Sequence, residues 1–243
     1  MTDNEECKEW YETSYSSEQF SAQRLYPNEE LCRFMGRTWF HLPYKARKNV
    51  KILELGCGSG SNLWMLKREG FDVFGVDIST EAIKLANRML KFWNVSFSER
   101  EAVEHLSVQD MADLSFPDST FDAVLDVFSC FCLTEPGWEC CLSEVARVLK
   151  KGGKFFAYTP SKRSDAFINH VPANMLDSST LEGIMRITSP YYGNFYPFRF
   201  ISEEDLRKSI GSKFDITYLE RVGRTYQGGK EYFEFLVFEL TKQ

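Results

Sequence analysis

The chain has 243 residues, with 29 Lys and Arg against 35 Asp and Glu, which gives a formal net charge of −6. Hydrophobic residues make up 43% and charged residues 26%, which excludes a disordered, collagen-like or coiled-coil chain. The acidic balance argues against non-specific nucleic-acid binding, which needs a surface that neutralises phosphates. No apolar stretch is long enough for membrane insertion, and the acidic start lacks the basic residues and apolar run of a secretory signal.

The seven cysteines are odd in number, and no two of them form a C-x-x-C pair. Zinc-binding spacing is therefore missing, and a disulfide framework is not expected in a chain of this length. We predict reduced thiols, a cytoplasmic protein and no metal site. Cys130 and Cys132 lie in an apolar run and are interpreted as buried structural thiols.

The first predicted element is a helix with Pro27 in its first turn, where Leu31, Phe34, Met35 and Trp39 recur at helical spacing. Strands and helices then alternate along the chain. The predicted strands cover 50–55, 71–76, 104–109, 121–127 and 154–158. Between them, helices are predicted over 62–68, after a cap at Ser79 and after a cap at Thr134. This alternation indicates parallel βαβ units with helices on both faces of a sheet.

Residues 161–200 break the alternation and are interpreted as an insertion. Ser202 and Asp205 then match a capping box, and the helix they begin should end at Gly211. Two final strands, 214–219 and 232–240, have no helix between them and should pair antiparallel. We predict one Rossmann-like α/β domain, a seven-stranded, mostly parallel sheet with one antiparallel strand. Its parts are an N-terminal helical cap (1–50), the core (51–160), an inserted substrate lid (161–200) and a C-terminal helix with antiparallel strands (201–243).

A glycine-rich loop follows the first predicted strand, in the stretch Glu54-Leu55-Gly56-Cys57-Gly58-Ser59-Gly60-Ser61-Asn62. Glycines let the backbone approach a ligand closely, and the following helix start offers free amides. The dinucleotide fingerprint G-x-G-x-x-G would need glycine where Ser61 stands. A carboxylate at Glu54 would repel a pyrophosphate but suits an ammonium and a sulfonium. The loop therefore favours S-adenosylmethionine over NAD.

Four further motifs follow this loop in order: 75–79 (GVDIS), 109–111 (QDM), 121–124 (FDAV) and 144–153 (EVARVLKKGG). With 52–60 (ILELGCGSG), they resemble the class I S-adenosylmethionine-dependent methyltransferases. The resemblance is to the small-molecule branch that includes the ubiquinone and menaquinone biosynthetic enzymes. It covers residues 50–160 well and 200–243 moderately. It implies methyl transfer from S-adenosylmethionine to a small-molecule acceptor by in-line displacement, with S-adenosylhomocysteine as the product.

The resemblance also implies roles for single residues. Asp77 should bind the two ribose hydroxyls, Ile78 should pack on adenine, and Asp110 beside Met111 should accept a hydrogen bond from the adenine amino group. The glycine loop and Glu54 should meet the methionine part, and the N-terminal segment should close over the cofactor. The expected cofactor-binding residues are Glu54, Gly56, Cys57, Gly58, Gly60, Asn62, Asp77, Ile78, Asp110, Met111, Asp126, Val127, Tyr15 and Arg24.

Substrate contacts are expected from the N-terminal segment and from the aromatic residues of the insertion. The candidates are Tyr11, Tyr26, Tyr191, Tyr192 and Tyr196. Such a lid could exclude water, stack on a ring or face a cation, or its aromatics could form only its own small core. His170 is the candidate general base, because histidine titrates near neutral pH; the alternative is an exposed loop histidine. Residues 126–129 read Asp-Val-Phe-Ser rather than Asn/Asp-Pro-Pro-Tyr, which weakens methylation of nucleic-acid bases or glutamine.

Three other functions remain as alternatives. The acidic chain could methylate a protein substrate that presents a basic peptide, or it could be a non-catalytic scaffold that keeps the fold. A nicotinamide oxidoreductase ranks last, because of the loop spacing. The atom that is methylated (oxygen, nitrogen, sulfur or carbon) and the oligomeric state stay open.

Overall fold

The computed structural model describes residues 3–18 and 24–243, and their side chains at 8–17 and 24–243. The predicted cap over 1–50 therefore includes residues outside the described ranges, and the side chain of Cys7 also lies outside them. The helices are α1 Asp3–Glu18, α2 Glu29–Thr38, α3 Tyr44–Arg47, α4 Leu63–Arg68, α5 Thr80–Phe92, α6 Glu99–His105, α7 Glu135–Val148, α8 Asp165–Ile168 and α9 Glu203–Ile210.

Ten strands form two sheets. They are β1 Lys51–Leu55, β2 Asp72–Asp77, β3 Leu106–Val108, β4 Phe121–Val127, β5 Leu149–Pro160, β6 Asn174–Met175, β7 Thr180–Glu182, β8 Phe198–Arg199, β9 Phe214–Tyr226 and β10 Glu231–Lys242. The large sheet has the order β3-β2-β1-β4-β5-β10-β9, in which β10 runs antiparallel to both of its neighbours, β5 and β9. The predicted fold class, a seven-stranded and mostly parallel sheet with one antiparallel strand, is confirmed.

Two hydrophobic cores lie on opposite faces of this sheet. Apolar side chains of α2, α4 and α5 pack on one face, and those of α7 and α9 pack on the other. The central strands β1 and β4 are buried on both faces, as expected of parallel strands covered by helices. The two cores therefore hold in place the carboxyl edge of the sheet, where β1, β2 and β4 end.

Residues 161–200 contain α8 and a small sheet of order β6-β7-β8. This segment is joined to the main sheet, since the Ser161 amide donates to the Glu234 carbonyl at 2.8 Å and the Ile201 amide donates to the Pro160 carbonyl at 2.9 Å. Phe198 and Phe200 are fully buried and lie against each other, and Phe200 also lies against Phe233 on β10. The insertion therefore packs on the core as well as within itself.

Several predicted boundaries differ from the structure. Helix α2 begins after Asn28, whose side chain accepts from the Leu31 amide, so Pro27 lies before the helix. The third strand is shorter than predicted because α6, which begins at a capping box of Ser98 and Glu101, occupies residues up to His105. Thr134 is the N-cap position of α7 but makes no capping hydrogen bond.

The capping box of α9 gives a direct stability prediction. Ser202 accepts from the Asp205 amide, and the Asp205 carboxylate accepts from the Ser202 amide at 2.8 Å. We expect Ser202→Ala to lower the free energy of unfolding by about 1 kcal/mol. Thr134→Ala is the matched control, because its hydroxyl caps nothing, and should change stability by only a few tenths of a kcal/mol. Urea unfolding of both variants measures the difference, and equal losses would contradict the assignment.

Within the described residues, no helix is long and apolar enough to cross a membrane. No group of three or more His, Cys, Asp or Glu side chains in the same ranges is arranged to hold a metal ion.

Candidate active site

The glycine loop lies at the carboxyl edge of the sheet, between β1 and α4. Gly56, Gly58 and Gly60 all have positive φ, at 59°, 52° and 79°. The Gly58 amide donates a 2.9 Å hydrogen bond to Asp77, which ties the loop to the end of the neighbouring strand β2. A Cβ on Gly58 would lie 2.9 Å from the Tyr15 hydroxyl, so glycine keeps this space open.

Asp77 ends β2 with its side chain nearly buried. Its second carboxylate oxygen accepts from the Ser79 amide at 3.0 Å. Burial raises the pKa of Asp77 to about 6, although the Ser79 and Gly58 amides oppose that rise. The carboxylate retains lone pairs for further donors, because each oxygen can accept two hydrogen bonds.

Glu54, on β1, is the second buried carboxyl group. One oxygen accepts from the Asn62 side-chain nitrogen at 2.5 Å, and Asn62 in turn accepts from the Asn28 amide at 2.9 Å. The other oxygen is buried and has no hydrogen-bond partner among the described residues. Burial raises the pKa of Glu54 to about 8, while the Asn62 hydrogen bond and the positive charge of Arg24 lower it. An oriented acceptor without a partner suits a cationic ligand group.

Asp110 and Met111 form the next wall, beside Asp77 and Ile78. One Asp110 oxygen accepts from the Ala112 amide at 2.9 Å, which fixes the turn after β3. Gly56, Ser129 and Leu133 line the same cavity from the β1 and β4 sides.

Helix α1 covers this cavity. Glu12 accepts from the Ser79 hydroxyl and from the Glu81 amide, at the N-terminus of α5. On the other side, the Tyr11 hydroxyl lies 3.1 Å from that of Tyr196. The N-terminal segment and the insertion therefore meet above the glycine loop. Together these walls enclose what we call the glycine-loop cavity.

The glycine-loop cavity has two parts, one at Asp77 and one at Glu54, and their shared walls are Tyr11, Tyr15, Gly56 and Phe128. Most of the predicted site residues line it. The predicted residues on its walls are Tyr11, Tyr15, Arg24, Glu54, Gly56, Cys57, Gly58, Asn62, Asp77, Ile78, Asp110, Met111, Val127, Tyr191 and Tyr196.

Asp126 is not among the described residues that line this cavity. It is fully buried, and one oxygen accepts from the Ser129 amide, the Ser129 hydroxyl and the Cys130 amide at 2.7–3.0 Å. These bonds hold the turn at Phe128, whose φ is 62°. Gly60 also lies off the cavity walls, where a Cβ would be 3.0 Å from the Cα of Ala86.

Three other candidates lie outside the described cavities. His170 follows α8, where its Nδ1 is 3.0 Å from the Phe167 carbonyl oxygen. Tyr26 is largely exposed and packs edge-on against Trp93, and Tyr192 is also exposed. A general base must come within reach of the acceptor's proton, so the position of His170 does not favour that role.

Other residues that the sequence did not predict also line the cavities. Cys132, interpreted as a buried structural thiol, is only half-buried and faces the cavity beside Tyr11; Cys130 is buried as expected. Tyr158, Arg224, Tyr226 and Phe235 line an adjoining cavity. The two-residue spacing of Arg224 and Tyr226, which puts both on one face of β9, was the available signal.

Residues 52–153 match a family model described as a methyltransferase domain. Sterol 4-C-methyltransferase of Caenorhabditis elegans is 33% identical over 118 residues, which are 49% of this chain and 33% of that protein. Demethylmenaquinone methyltransferase of Tropheryma whipplei is 35% identical over 109 residues, 43% of this chain and 39% of that protein. The chain thus matches well under two thirds of the length of these relatives.

Among solved structures, magnesium protoporphyrin IX methyltransferase from Synechocystis with bound S-adenosylmethionine superposes with a TM-score of 0.64. The superposition covers 100% of this chain and 98% of that one at 14% identity, a likeness of fold. The resemblance read from the five motifs is thus confirmed for the domain and for the fold. Residues 52–153 are a methyltransferase domain, and the chain around them has the fold of S-adenosylmethionine-dependent methyltransferases.

Proposed function

We propose that the protein transfers a methyl group from S-adenosylmethionine to a small-molecule acceptor. One observation carries the proposal: the glycine loop is held open between two buried carboxyl groups, Asp77 and Glu54, and Glu54 has an oxygen with no partner among the described residues. A cofactor with hydroxyls at one end and an ammonium at the other would satisfy both groups.

The residues present fit that cofactor. The lone pairs of Asp77 that the Gly58 and Ser79 amides leave free can accept from two ribose hydroxyls. Asp110, Met111 and Ile78 lie where the adenine would extend. Glu54 and Arg24 line the Glu54 part of the glycine-loop cavity, where they match an α-ammonium and an α-carboxylate. A dinucleotide fits less well, because its pyrophosphate offers no positive charge to Glu54 and is repelled by Glu54 wherever that group is ionised.

When bound, S-adenosylmethionine supplies an activated methyl group on a sulfonium, so the reaction does not depend on a metal. A general base is needed only for an acceptor whose reacting atom carries a proton. The chain's own residues orient the cofactor and the acceptor and enclose them. Tyr11 and Tyr196 meet above the cavity, and Phe128 and Phe131 stack at 4.2 Å between ring centroids along its floor. These rings exclude water and restrict the reacting groups to a narrow set of positions.

The domain roles belong to the same proposal. The segment 1–50 acts as a cap over the cofactor, and 161–200 acts as a substrate lid, supported by the contact between Tyr11 and Tyr196. The six cysteines whose side chains are described are all free thiols, which supports a reducing compartment, the cytoplasm. His170 has no part in the proposed chemistry.

Transfer of tritium-labelled methyl from S-adenosylmethionine tests the proposal. The protein is incubated with an extract of its source organism, and label is counted in the small-molecule fraction and in the protein fraction. We expect label in small molecules, and none with the Asp77→Ala variant. Label confined to proteins would support the peptide alternative, and no labelling above the variant would support a scaffold.

Glu54 predicts how cofactor binding depends on pH. Because its pKa is about 8 and an ammonium favours the ionised carboxylate, we expect the Kd for S-adenosylmethionine to fall about five- to tenfold between pH 6.5 and 7.5. The sign follows from the rising fraction of carboxylate; Asp77, with a pKa of about 6, is already mostly ionised there. Calorimetric titration measures the Kd.

The matched variants for this prediction are Glu54→Gln and Glu69→Gln. Glutamine at 54 should bind more weakly with little pH dependence over this range. Glu69 pairs with Arg47 away from the cavity, so its variant should follow the wild type. A wild-type Kd that stays constant from pH 6.5 to 7.5 would refute the role of Glu54.

A further inference from the structure

A second cavity of about 470 Å³ adjoins the glycine-loop cavity. The two share Arg24, Phe128 and Tyr191 as a common wall. The second cavity extends from there along β5, β10 and β9. It therefore reaches the expected position of the methyl donor from the side opposite the adenosine residues.

Aromatic rings dominate its walls. Tyr158 and Phe235 stack with 4.2 Å between ring centroids and 16° between ring planes, and Phe128 lies 5.6 Å from Phe235. Tyr191 and Tyr226 complete the set, and none of the described residues on these walls is Leu, Ile, Val or Met. A lining of flat faces without branched aliphatic groups suits a flat ring better than an acyl chain.

The charges of the second cavity are unbalanced. Arg24 and Arg224 both line it, and neither forms an ion pair with a described carboxylate. Glu29 is the one acid among the described lining residues, and it lies in the first turn of α2, where a negative charge is stabilised by the helix itself. Because Arg24 is assigned to the cofactor carboxylate, and Glu29 is exposed and lies at the start of a helix, Arg224 is the charge that remains for an anionic group of a second ligand.

Two neutral hydrogen-bond donors lie beside these charges. The hydroxyls of Tyr158 and Tyr191 make no hydrogen bond to another described residue. Burial raises the pKa of both phenols, although the nearby arginines lower it, so both hydroxyls remain protonated at neutral pH and can donate. A carboxylate is an acceptor for such donors as well as for a guanidinium.

We propose that the second cavity binds the methyl acceptor, and that the acceptor is a flat aromatic acid whose carboxylate is bound by Arg224. This assignment rests on the proposed function, since the cavity opens onto the methyl-donor position. Arg224 acts as a specificity-determining residue, with Phe128, Tyr158 and Phe235 against the ring.

The probe is 1-hydroxy-2-naphthoate, titrated calorimetrically into protein saturated with S-adenosylhomocysteine. Its neutral carboxamide and the aliphatic acid decanoate are the comparison ligands. We expect the naphthoate to bind at least about tenfold more tightly than its carboxamide, the value of one charge-assisted contact near solvent. We also expect it to bind more tightly than decanoate, which keeps the charge but has no ring to stack on the aromatic walls. Equal binding of the carboxamide would overturn the anionic class, and equal or tighter binding of decanoate would overturn the aromatic class.

Two arginine variants on β9 locate the contact. Arg224→Gln should weaken naphthoate about tenfold while leaving the carboxamide and S-adenosylhomocysteine unchanged. Arg221→Gln removes the same charge from the same strand, but Arg221 faces Glu203 at 3.7 Å and does not line the cavity, so it should bind as the wild type does. Equal losses in both variants would overturn the assignment of Arg224. Wild-type protein that fails to bind S-adenosylhomocysteine would instead overturn the proposed function.

Discussion

Replacing Asp77 by alanine is expected to weaken S-adenosylhomocysteine binding by about 10²- to 10⁴-fold. The estimate is the loss of two charge-assisted hydrogen bonds at about 1.5–3 kcal/mol each. The variant also frees the Gly58 amide, so the glycine loop loses its tie to β2. Calorimetry on the purified variant measures the change.

Two further variants separate binding from folding. Asp77→Asn keeps an acceptor oxygen but no charge. Because burial raises the pKa of Asp77, the fold favours the protonated carboxyl group, and this contribution to stability is lost as pH rises through about 6. We therefore expect Asp77→Asn to melt within about 4 °C of the wild type at pH 8 while still binding poorly.

Asp72→Asn is the position control, at the other end of β2, where the carboxylate contacts His105 at 3.0 Å. It should bind S-adenosylhomocysteine as the wild type does. An Asp77→Ala variant that binds within about threefold of the wild type would contradict the role of Asp77.

Gly56→Ala is expected to have the largest effect on stability. The new Cβ would lie 2.3 Å from the Cβ of Ser129, and the φ of 59° disfavours any side chain. The left-handed backbone costs about 1–2 kcal/mol and the overlap about 1–3 kcal/mol, so we expect a loss of about 2–5 kcal/mol in the free energy of unfolding.

Gly36→Ala is the matched control for this substitution. Gly36 lies within α2, and a Cβ there would meet nothing within 4 Å. Alanine should stabilise the helix by up to about 1 kcal/mol. Urea unfolding compares the two variants, and a Gly56→Ala protein as stable as the wild type would show that the loop is less tightly packed against Ser129 than described.

The features predicted correctly are those that short stretches of sequence encode. Alternating strands and helices, the glycine loop after β1 and the acid that ends β2 each depend on neighbours within a few residues. The α9 capping box is local too. The same kind of signal, Ser98 followed by Glu101, begins α6, and this helix makes the third strand shorter than the predicted one.

The features that escaped prediction depend on how distant segments meet. Asp126 and Asp77 both end strands, and only the turn at Phe128 brings amides onto Asp126 and removes it from the cavity. Similarly, Tyr26 and Tyr191 are both aromatic residues in irregular segments. Packing leaves Tyr26 on the surface and turns Tyr191 onto Phe198 and Phe233.

The second cavity illustrates the same limit on a larger scale. Arg224 and Phe235 come from the consecutive strands β9 and β10, but Tyr158 lies on β5, which is distant in sequence and adjacent to them only through the pairing of β10 with β5. No local motif contains them.

Calorimetric titration of the wild-type protein with S-adenosylhomocysteine and, separately, with NAD tests the central claim most directly. The structure predicts one site for S-adenosylhomocysteine and a Kd at least about a hundredfold lower than for NAD, because the buried Glu54 can ionise to pair with an ammonium, whereas a pyrophosphate offers it no positive charge. Binding of NAD as tight as that of S-adenosylhomocysteine, or no binding of either, would contradict it.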